Sequence, residues 1–259
     1  MSAIEGVKEI QQPMEPMNSP LSLGRRWKAP VVPFRIRRQF PRPEPAQVGA
    51  LRGVDVTRIS DLVGRMYTCD ASIRPLCSPA VPVVGIATTV KCPPGDNLAL
   101  MRALRMVEPG DVLVVDGQGF TQWCLGGFQL LQMARDHHGL AGIVVNGAYR
   151  DVLEAQAAGF PLYGLAVSPH SGPKLGPGEI NVPVCCGGVI VHPGDVVAAS
   201  GEGVAVVPRD ALGAVVAALQ ASEPAPGAPR DDHGILDFVD DMDRQIDAWF
   251  AAGRGQVLE

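Results

Sequence analysis

Several signals are missing from this chain, and each absence removes a class of function. No apolar run reaches the ~18 residues that a membrane-crossing helix needs, so no membrane span is expected. The opening Met-Ser-Ala-Ile-Glu-Gly lacks a charged segment followed by an apolar one, so no secretory signal is expected either. The six cysteines (Cys69, Cys77, Cys92, Cys124, Cys185 and Cys186) contain no CxxC spacing. Zinc is therefore not expected, and the thiols read as reduced, in a cytoplasmic protein. The net charge of −5 offers no basic excess, which argues against a general nucleic-acid partner. Asp116-Gly117-Gln118-Gly119 resembles a phosphate loop only loosely. It lacks the Gly-Lys-Ser/Thr ending and reads as a pocket wall.

What is present suits a globular protein. The 259 residues are 46% hydrophobic and 19% charged, enough to bury one sizeable core, with or without arms. Three regions differ in character. Residues 1–45 form a Pro-rich basic arm, with Pro13, Pro16, Pro20, Pro30, Pro33, Pro41, Pro43 and Pro45 breaking any long periodicity. Arg25, Arg26, Lys28, Arg35, Arg37, Arg38 and Arg42 alternate there with Trp27, Phe34 and Phe40. The arm is expected to lie extended on this subunit or a neighbour. Residues 46–222 carry the periodic segments of an α/β domain. Residues 223–259 read as a linker followed by an amphipathic helix, Leu236 to Phe250, with Phe238, Ile246 and Trp249 on its apolar side.

Within the domain, Val54 to Met66 has helical spacing, and Val83 to Val90 is a strand. Asp96-Asn97 caps a helix from Leu98 to Val107. Pro109-Gly110-Asp111 turns into the buried strand Val112 to Val115, and Pro193-Gly194-Asp195 repeats that turn. Phe160 to Tyr163 and Leu165 to Val167 are two extended pieces. Asn181 to Val184 and Gly188 to Val191 are strands. Val196 to Ala199 and Gly203 to Val207 make a hairpin, and Asp210 to Leu219 is a helix. Strands outnumber βαβ units, so a mixed α/β fold is expected, not a plain doubly wound sheet.

The stretch from Gln129 to Glu154 organises the rest. Gly126-Gly127 opens an apolar helix carrying Leu130, Leu131, Met133 and Ala134, and Gly139 stops it. Gly142 to Val145 is a buried strand, Asn146-Gly147 a turn signal, and Arg150-Asp151 the start of a short helix reaching Ala158. Two helix starts and a strand end thus meet at one end of the sheet, where amides and loop side chains converge on ligands.

Five motifs, in this order, resemble the RraA-like family: Asp96-Asn97-Leu98-Ala99-Leu100, residues 110–117, residues 147–151, Asn181-Val182-Pro183-Val184 and Pro193-Gly194-Asp195. The resemblance covers about Val54 to Pro208. That family includes 4-hydroxy-4-methyl-2-oxoglutarate / 4-carboxy-4-hydroxy-2-oxoadipate aldolases and the regulator of ribonuclease activity A. The resemblance implies a swivelling β/β/α fold and a homo-oligomer, a trimer or a hexamer of two trimers. It also implies a lyase that cleaves a small 2-keto acid with Mg²⁺ or Mn²⁺. The reaction is either retro-aldol release of pyruvate or decarboxylation of oxaloacetate. The alternative is a regulatory or binding protein on the same scaffold that has lost strong catalysis.

The same resemblance assigns roles. Family aldolases carry an acid, twenty intervening residues and Arg-Asp, and Arg150-Asp151 matches the Arg-Asp. Asp151 is then the metal ligand, with Glu154 a further acid. Arg150 contacts the pyruvoyl part, Gly127 and the amides of Leu130 and Leu131 hold the substrate carboxylate, and Lys174 falls where some aldolases have a pocket lysine. The residue in place of the first acid is Gln129, and Ser200 also stands where many members have an acid. An amide can orient water but cannot act as its base. The chemistry of these residue types agrees. Mg²⁺ needs one or two carboxylates plus oxygens from water and substrate, and Arg150 supplies a rigid fork for a carboxylate. His137-His138 reads as a favourable charge at a helix C-terminus, Cys185-Cys186 as a buried step in a strand, and Asp231, Asp232 and His233 as solvated.

Overall fold

A computed structural model describes residues 34–77, 80–221 and 233–258. The expectations for residues 1–33 and for 222–232 lie outside the described residues. The elements follow in order: β1 (Phe34–Ile36), α1 (Pro45–Gly49), α2 (Val56–Val63), β2 (Arg74–Pro75), β3 (Val83–Lys91), α3 (Leu98–Ala103), β4 (Asp111–Asp116), α4 (Phe128–His138), β5 (Gly142–Tyr149), α5 (Val152–Ala157) and β6 (Leu162–Val167). Then come β7 (Gly178–Ile180), β8 (Val184–Cys186), β9 (Val189–Val191), β10 (Val196–Ser200), β11 (Gly203–Val207), a 3-10 turn (Arg209–Ala211), α6 (Leu212–Ala221) and α7 (His233–Ala251).

The nine-stranded sheet runs β1-β7-β3-β4-β5-β6-β2, with β10 on the other side of β3's first half and β11 beyond it. Strands β3, β4, β5 and β6 are mutually parallel, and β10–β11 is the expected antiparallel hairpin. The alternation of side chains along a strand explains the layering. Leu113 and Val115 of β4, with Ile143 and Val145 of β5, face a core containing Leu100, Leu104, Leu131, Ala134 and Phe160. Val112, Val114 and Val144 face the other way, onto Val184, Cys186, Val189 and Val191 and the inner residues of β10–β11. That hairpin is apolar on both sides. Val197, Ala199, Val204 and Val206 look at the sheet, while Val196, Ala198, Ala205 and Val207 pack on Leu51, Ile59, Leu212 and Leu219. Each fully buried Val or Leu contributes about 1.5–3 kcal/mol. The result is the mixed α/β architecture with flanking helices that the motifs implied.

Several expected elements differ in detail. Asn146-Gly147 is not a turn but lies inside β5. The pairing with β6 shifts register between Val145 and Ala148, while the other edge stays paired through Gly119 N to Asn146 O and Leu125 N to Ala148 O. The helix after Asn97 ends at Ala103 rather than Val107. The two pieces expected at 160–167 form the single strand β6. Asn181 to Val184 is not one strand. Asn181 has φ +56°, which turns the chain out of β7 before β8 begins. Its amide donates to Thr89 O and its Nδ2 to Arg37 O. Cys185 is exposed on β8, and only Cys186 is buried.

The repeated Pro-Gly-Asp turns share one device. Asp111 accepts the Glu108 amide at 2.9 Å and the Thr88 hydroxyl at 2.7 Å. Asp195 accepts the His192 amide at 2.7 Å and the Arg209 amide at 3.0 Å. Each buried carboxylate thereby ties its own turn to a neighbouring element. The described end of the arm fastens to both turns. Arg42 pairs with Asp111, and Pro41 O lies so close to Gly194 that a Cβ there would overlap it. Asp111→Ala is expected to cost about 2–3 kcal/mol, because Arg42, Thr88 and an amide lose one shared acceptor. Urea unfolding checks this, and an unchanged midpoint would contradict it.

Candidate active site

Three chain segments meet beyond the C-terminal ends of the parallel strands. One is the start of α4, the second is the passage from β5 to α5, and the third is the loop from Ser168 to Gly176. Gly127 is the N-cap of α4, and Asp151 that of α5. Asp151 does not cap its own helix. Its backbone is left-handed, with φ +60° and ψ +37°, and its Oδ2 instead accepts the Phe128 amide at 3.1 Å. The carboxylate therefore sits at the positive end of α4. A non-glycine residue in this conformation costs about 1 kcal/mol, and such strain clusters at functional sites.

Two glycines make the approach possible. A Cβ on Gly127 would overlap Asp151 Oδ2 and come within 3.2 Å of Arg150 Nε. A Cβ on Gly126 would lie 2.5 Å from the Tyr149 hydroxyl. Tyr149 is fully buried, its hydroxyl 3.4 Å from Gly127 O, and burial pushes its phenol far up, so it stays neutral. The Gly-Gly pair thus reads as room for Tyr149 and Asp151.

Arg150 is held at both ends. Its amide donates to Gly126 O at 3.1 Å and its Nη1 to Pro169 O at 3.2 Å. Its Nε is buried, has no hydrogen-bond partner among the described residues, and stands 3.8 Å from Asp151 Oδ2. The side chain is 42% exposed, so part of the fork faces solvent with donors unspent. Beside it, burial pushes the Cys124 thiol up, partly offset by the Arg150 charge.

Gln129 is exposed on the first turn of α4, one residue past the amide that holds Asp151. The Leu130 amide is committed to Gly127 O at 3.1 Å, and the Leu131 side chain is buried in the core. Glu154 is exposed on α5, one turn from Asp151, with no ion pair among the described residues. Lys174 is exposed and likewise has no ion pair among them. Its loop is fixed, however, because Asp96 Oδ2 accepts the Leu175 amide at 2.6 Å. The structure thus brings Gly127, Gln129, Arg150 and Asp151 together, with Glu154 adjacent. Ser200 ends β10, its Oγ accepting the Glu202 amide at 3.2 Å. His137 and His138 are in the last turn of α4. Asp231 and Asp232 lie outside the described residues, as does the side chain of His233.

The local sequence pattern marks Asp96 and Asn97 as a helix cap, and the structure adds a second task for each. Asp96 Oδ1 does accept the Leu98 amide, at 2.9 Å, but its second oxygen anchors the 168–176 loop. Buried Asn97 donates to Leu125 O at 2.7 Å and so fixes the segment leading into Gly126. Asp116, at the head of the loop read as a pocket wall, also has a structural role. It accepts the Gln118 amide at 2.9 Å and the Cys185 amide at 3.3 Å, joining β4 to β8.

Gly127→Ala is expected to displace the Asp151 carboxylate from the Phe128 amide. In ¹⁵N-resolved spectra the Phe128 amide should shift and lose exchange protection, while the Gly139 end of α4 stays as it was. An unmoved Phe128 amide would contradict this geometry.

Comparison with known proteins gives a consistent picture. The RraA-like profile, described as Aldolase/RraA, matches residues 56–206. A protein of Halalkalibacterium halodurans named "Putative 4-hydroxy-4-methyl-2-oxoglutarate aldolase" is 39% identical over 158 residues, which is 61% of this chain and 74% of that one. Streptomyces coelicolor RraAS2, "an unusual member of the RNase ES inhibitor RraA protein family", superposes with a TM-score of 0.63 at 30% identity, covering 71% of this chain and 94% of its own. The RNA-processing inhibitor RraA from Thermus thermophilis gives 0.54 at 30% identity, covering 60% and 93%. With its profile match spanning more than half of its length, the chain belongs to the RraA-like (Aldolase/RraA) family.

Proposed function

We propose that this chain is a divalent-metal-dependent lyase for a small 2-keto acid. It releases pyruvate from a 4-hydroxy-2-keto diacid, or carbon dioxide from oxaloacetate. The observation that carries the reading is the Asp151 carboxylate held on the Phe128 amide, beside an Arg150 fork with unspent donors. The name of the Halalkalibacterium relative supports the aldolase class.

The residues fit a hard cation. Asp151 Oδ2 is occupied by the Phe128 amide, while Oδ1 has no hydrogen bond among the described residues, and the side chain is about one-third exposed. One such carboxylate, with water and substrate oxygens completing the shell, suits Mg²⁺ or Mn²⁺. Glu154 lies one turn on and would act through water. Bound there, the cation supplies Lewis-acid polarisation of the 2-keto oxygen. The solvent-facing part of the Arg150 guanidinium binds the adjacent carboxylate. The start of α4 adds amide dipoles to the same anion. In the retro-aldol direction the C3–C4 bond breaks, the 4-hydroxyl loses its proton to become a carbonyl, and C3 gains one to become the pyruvate methyl. Gln129 orients the water that meets this hydroxyl but does not take its proton. Decarboxylation of oxaloacetate needs no such base. We further propose that the protein works as a homo-oligomer.

A second reading is a regulatory binding protein. The neutral Gln129 favours it, as do the inhibitor names of two structural neighbours. A pyruvate-release assay separates the two, over 4-hydroxy-2-keto diacids and oxaloacetate with and without Mg²⁺ or Mn²⁺. Metal-stimulated turnover supports the lyase, and none with any substrate supports the regulator. Asp151→Asn should lower kcat/KM about 10²-fold or more, because the cation loses its only direct anionic ligand. Normal turnover in that variant would exclude the assignment.

Gln129→Asp should raise the retro-aldol rate more than the decarboxylation rate, since general bases are worth ~10²–10⁴-fold. Steady-state kinetics of both reactions at saturating metal check this. Equal changes in both would assign the base elsewhere, with Lys174 next to test.

A further inference from the structure

Helix α7 is exposed at every residue described in its side chains, and its surface is far from neutral. Ile235, Val239, Met242, Ile246 and Trp249 recur at spacings of four, three, four and three, which places them in one stripe. They are 39–67% exposed, with Phe238 and Phe250 flanking them. The rest of the helix carries Asp237, Asp240, Asp241, Asp243 and Asp247 against Arg244 alone, which pairs with Asp241. An apolar stripe of this length on a 19-residue helix marks an interaction face.

The opposite character occurs at the far edge of the sheet. Strand β1 is the edge strand, and Phe34 and Ile36 project from one side of it at 37% and 44% exposure. With Met106, Arg38 and Arg102 they line an open depression of about 610 Å³. Arg105 is exposed one turn further along, next to Met106. None of these three arginines pairs with an acid among the described residues, and no acid lines the depression. Arg35 points to the other side, where Glu179 takes it.

We propose that the β1–α3 depression is the docking site for helix α7 of a second copy of this chain. The apolar stripe meets Phe34, Ile36 and Met106, and the aspartates meet Arg38, Arg102 and Arg105. Charge decides the occupant. Two α7 helices side by side would set aspartates against aspartates, whereas the charged residues described at the depression are all arginines. Among the described residues the stripe stays exposed, with the Arg254 guanidinium 5.6 Å from the Trp249 ring, and the proposed match is made between copies. The contact joins a C-terminal element of one chain to the N-terminal edge strand of the next.

The test is photo-cross-linking of the full chain with benzoylphenylalanine in place of exposed Trp249, in an equal mixture of ¹⁴N- and ¹⁵N-labelled protein. Mixed-isotope cross-links to peptides spanning 34–38 or 102–106 are expected. Arg102→Glu, an exposed change outside the candidate active site, should reduce their yield about fivefold, the scale of one exposed charge pair lost and reversed. Added salt should act in the same direction. Cross-links confined to one isotope, cross-links to another α7, or none at all would each overturn the proposal. So would a yield indifferent to Arg102→Glu. Cross-linking reads contact rather than stoichiometry, so an oligomer held by other surfaces does not mask the answer.

Discussion

The contact on which the site depends is the one between Asp151 Oδ2 and the Phe128 amide. It joins the N-termini of two helices, α4 and α5, that enter from neighbouring strands. It also explains local features that otherwise look unrelated. Asp151 takes a left-handed backbone so that its carboxylate reaches across rather than capping α5. Gly127 has no side chain because that carboxylate fills the space, and Gly126 has none because of the Tyr149 hydroxyl. Arg150 is then fixed by the amide on one side and the Pro169 carbonyl on the other. Held this way, the charged pair is positioned by the fold itself, a form of preorganisation that the proposed chemistry would use.

Carboxylates perform two different jobs in this fold, and burial separates them. Asp96, Asp111, Asp116 and Asp195 are buried, and each accepts hydrogen bonds from backbone amides. Their lone pairs are spent on turns and loop anchors. Asp151 is partly exposed, and among the described residues only one of its oxygens accepts a hydrogen bond. The candidate ligand is therefore the carboxylate with a free oxygen, while the buried four hold the frame around it. Among them, Asp96 acts closest to the site, because it fixes the loop whose Pro169 carbonyl receives Arg150.

Much of this was legible in the sequence. Short β-branched runs gave β4, β10 and β11 close to their observed limits, and glycines marked both ends of α4. The motif order pointed to the family and to Arg150-Asp151. The failures have physical causes. Asn146-Gly147 has turn chemistry, yet a neighbouring segment pairs with it and keeps it in β5. Asn181 sits in a run that looks extended, but its left-handed backbone serves hydrogen bonds to residues 92 and 144 positions away. The role of Asp96 and Asn97 depends on loops distant in sequence, which no local pattern reveals. The Asp151–Phe128 contact was invisible for the same reason, although two adjacent glycines before a helix could have signalled a group that needs their space.

The proposed chemistry turns on Asp151 as the anchor of a divalent cation beside Arg150. Anomalous diffraction from crystals soaked with Mn²⁺ and oxalate, a planar mimic of the pyruvate enolate, tests it most directly. A manganese peak is expected against the free oxygen of Asp151, with an oxalate carboxylate on the Arg150 guanidinium. A peak at any other carboxylate, or oxalate bound away from Arg150, would contradict it.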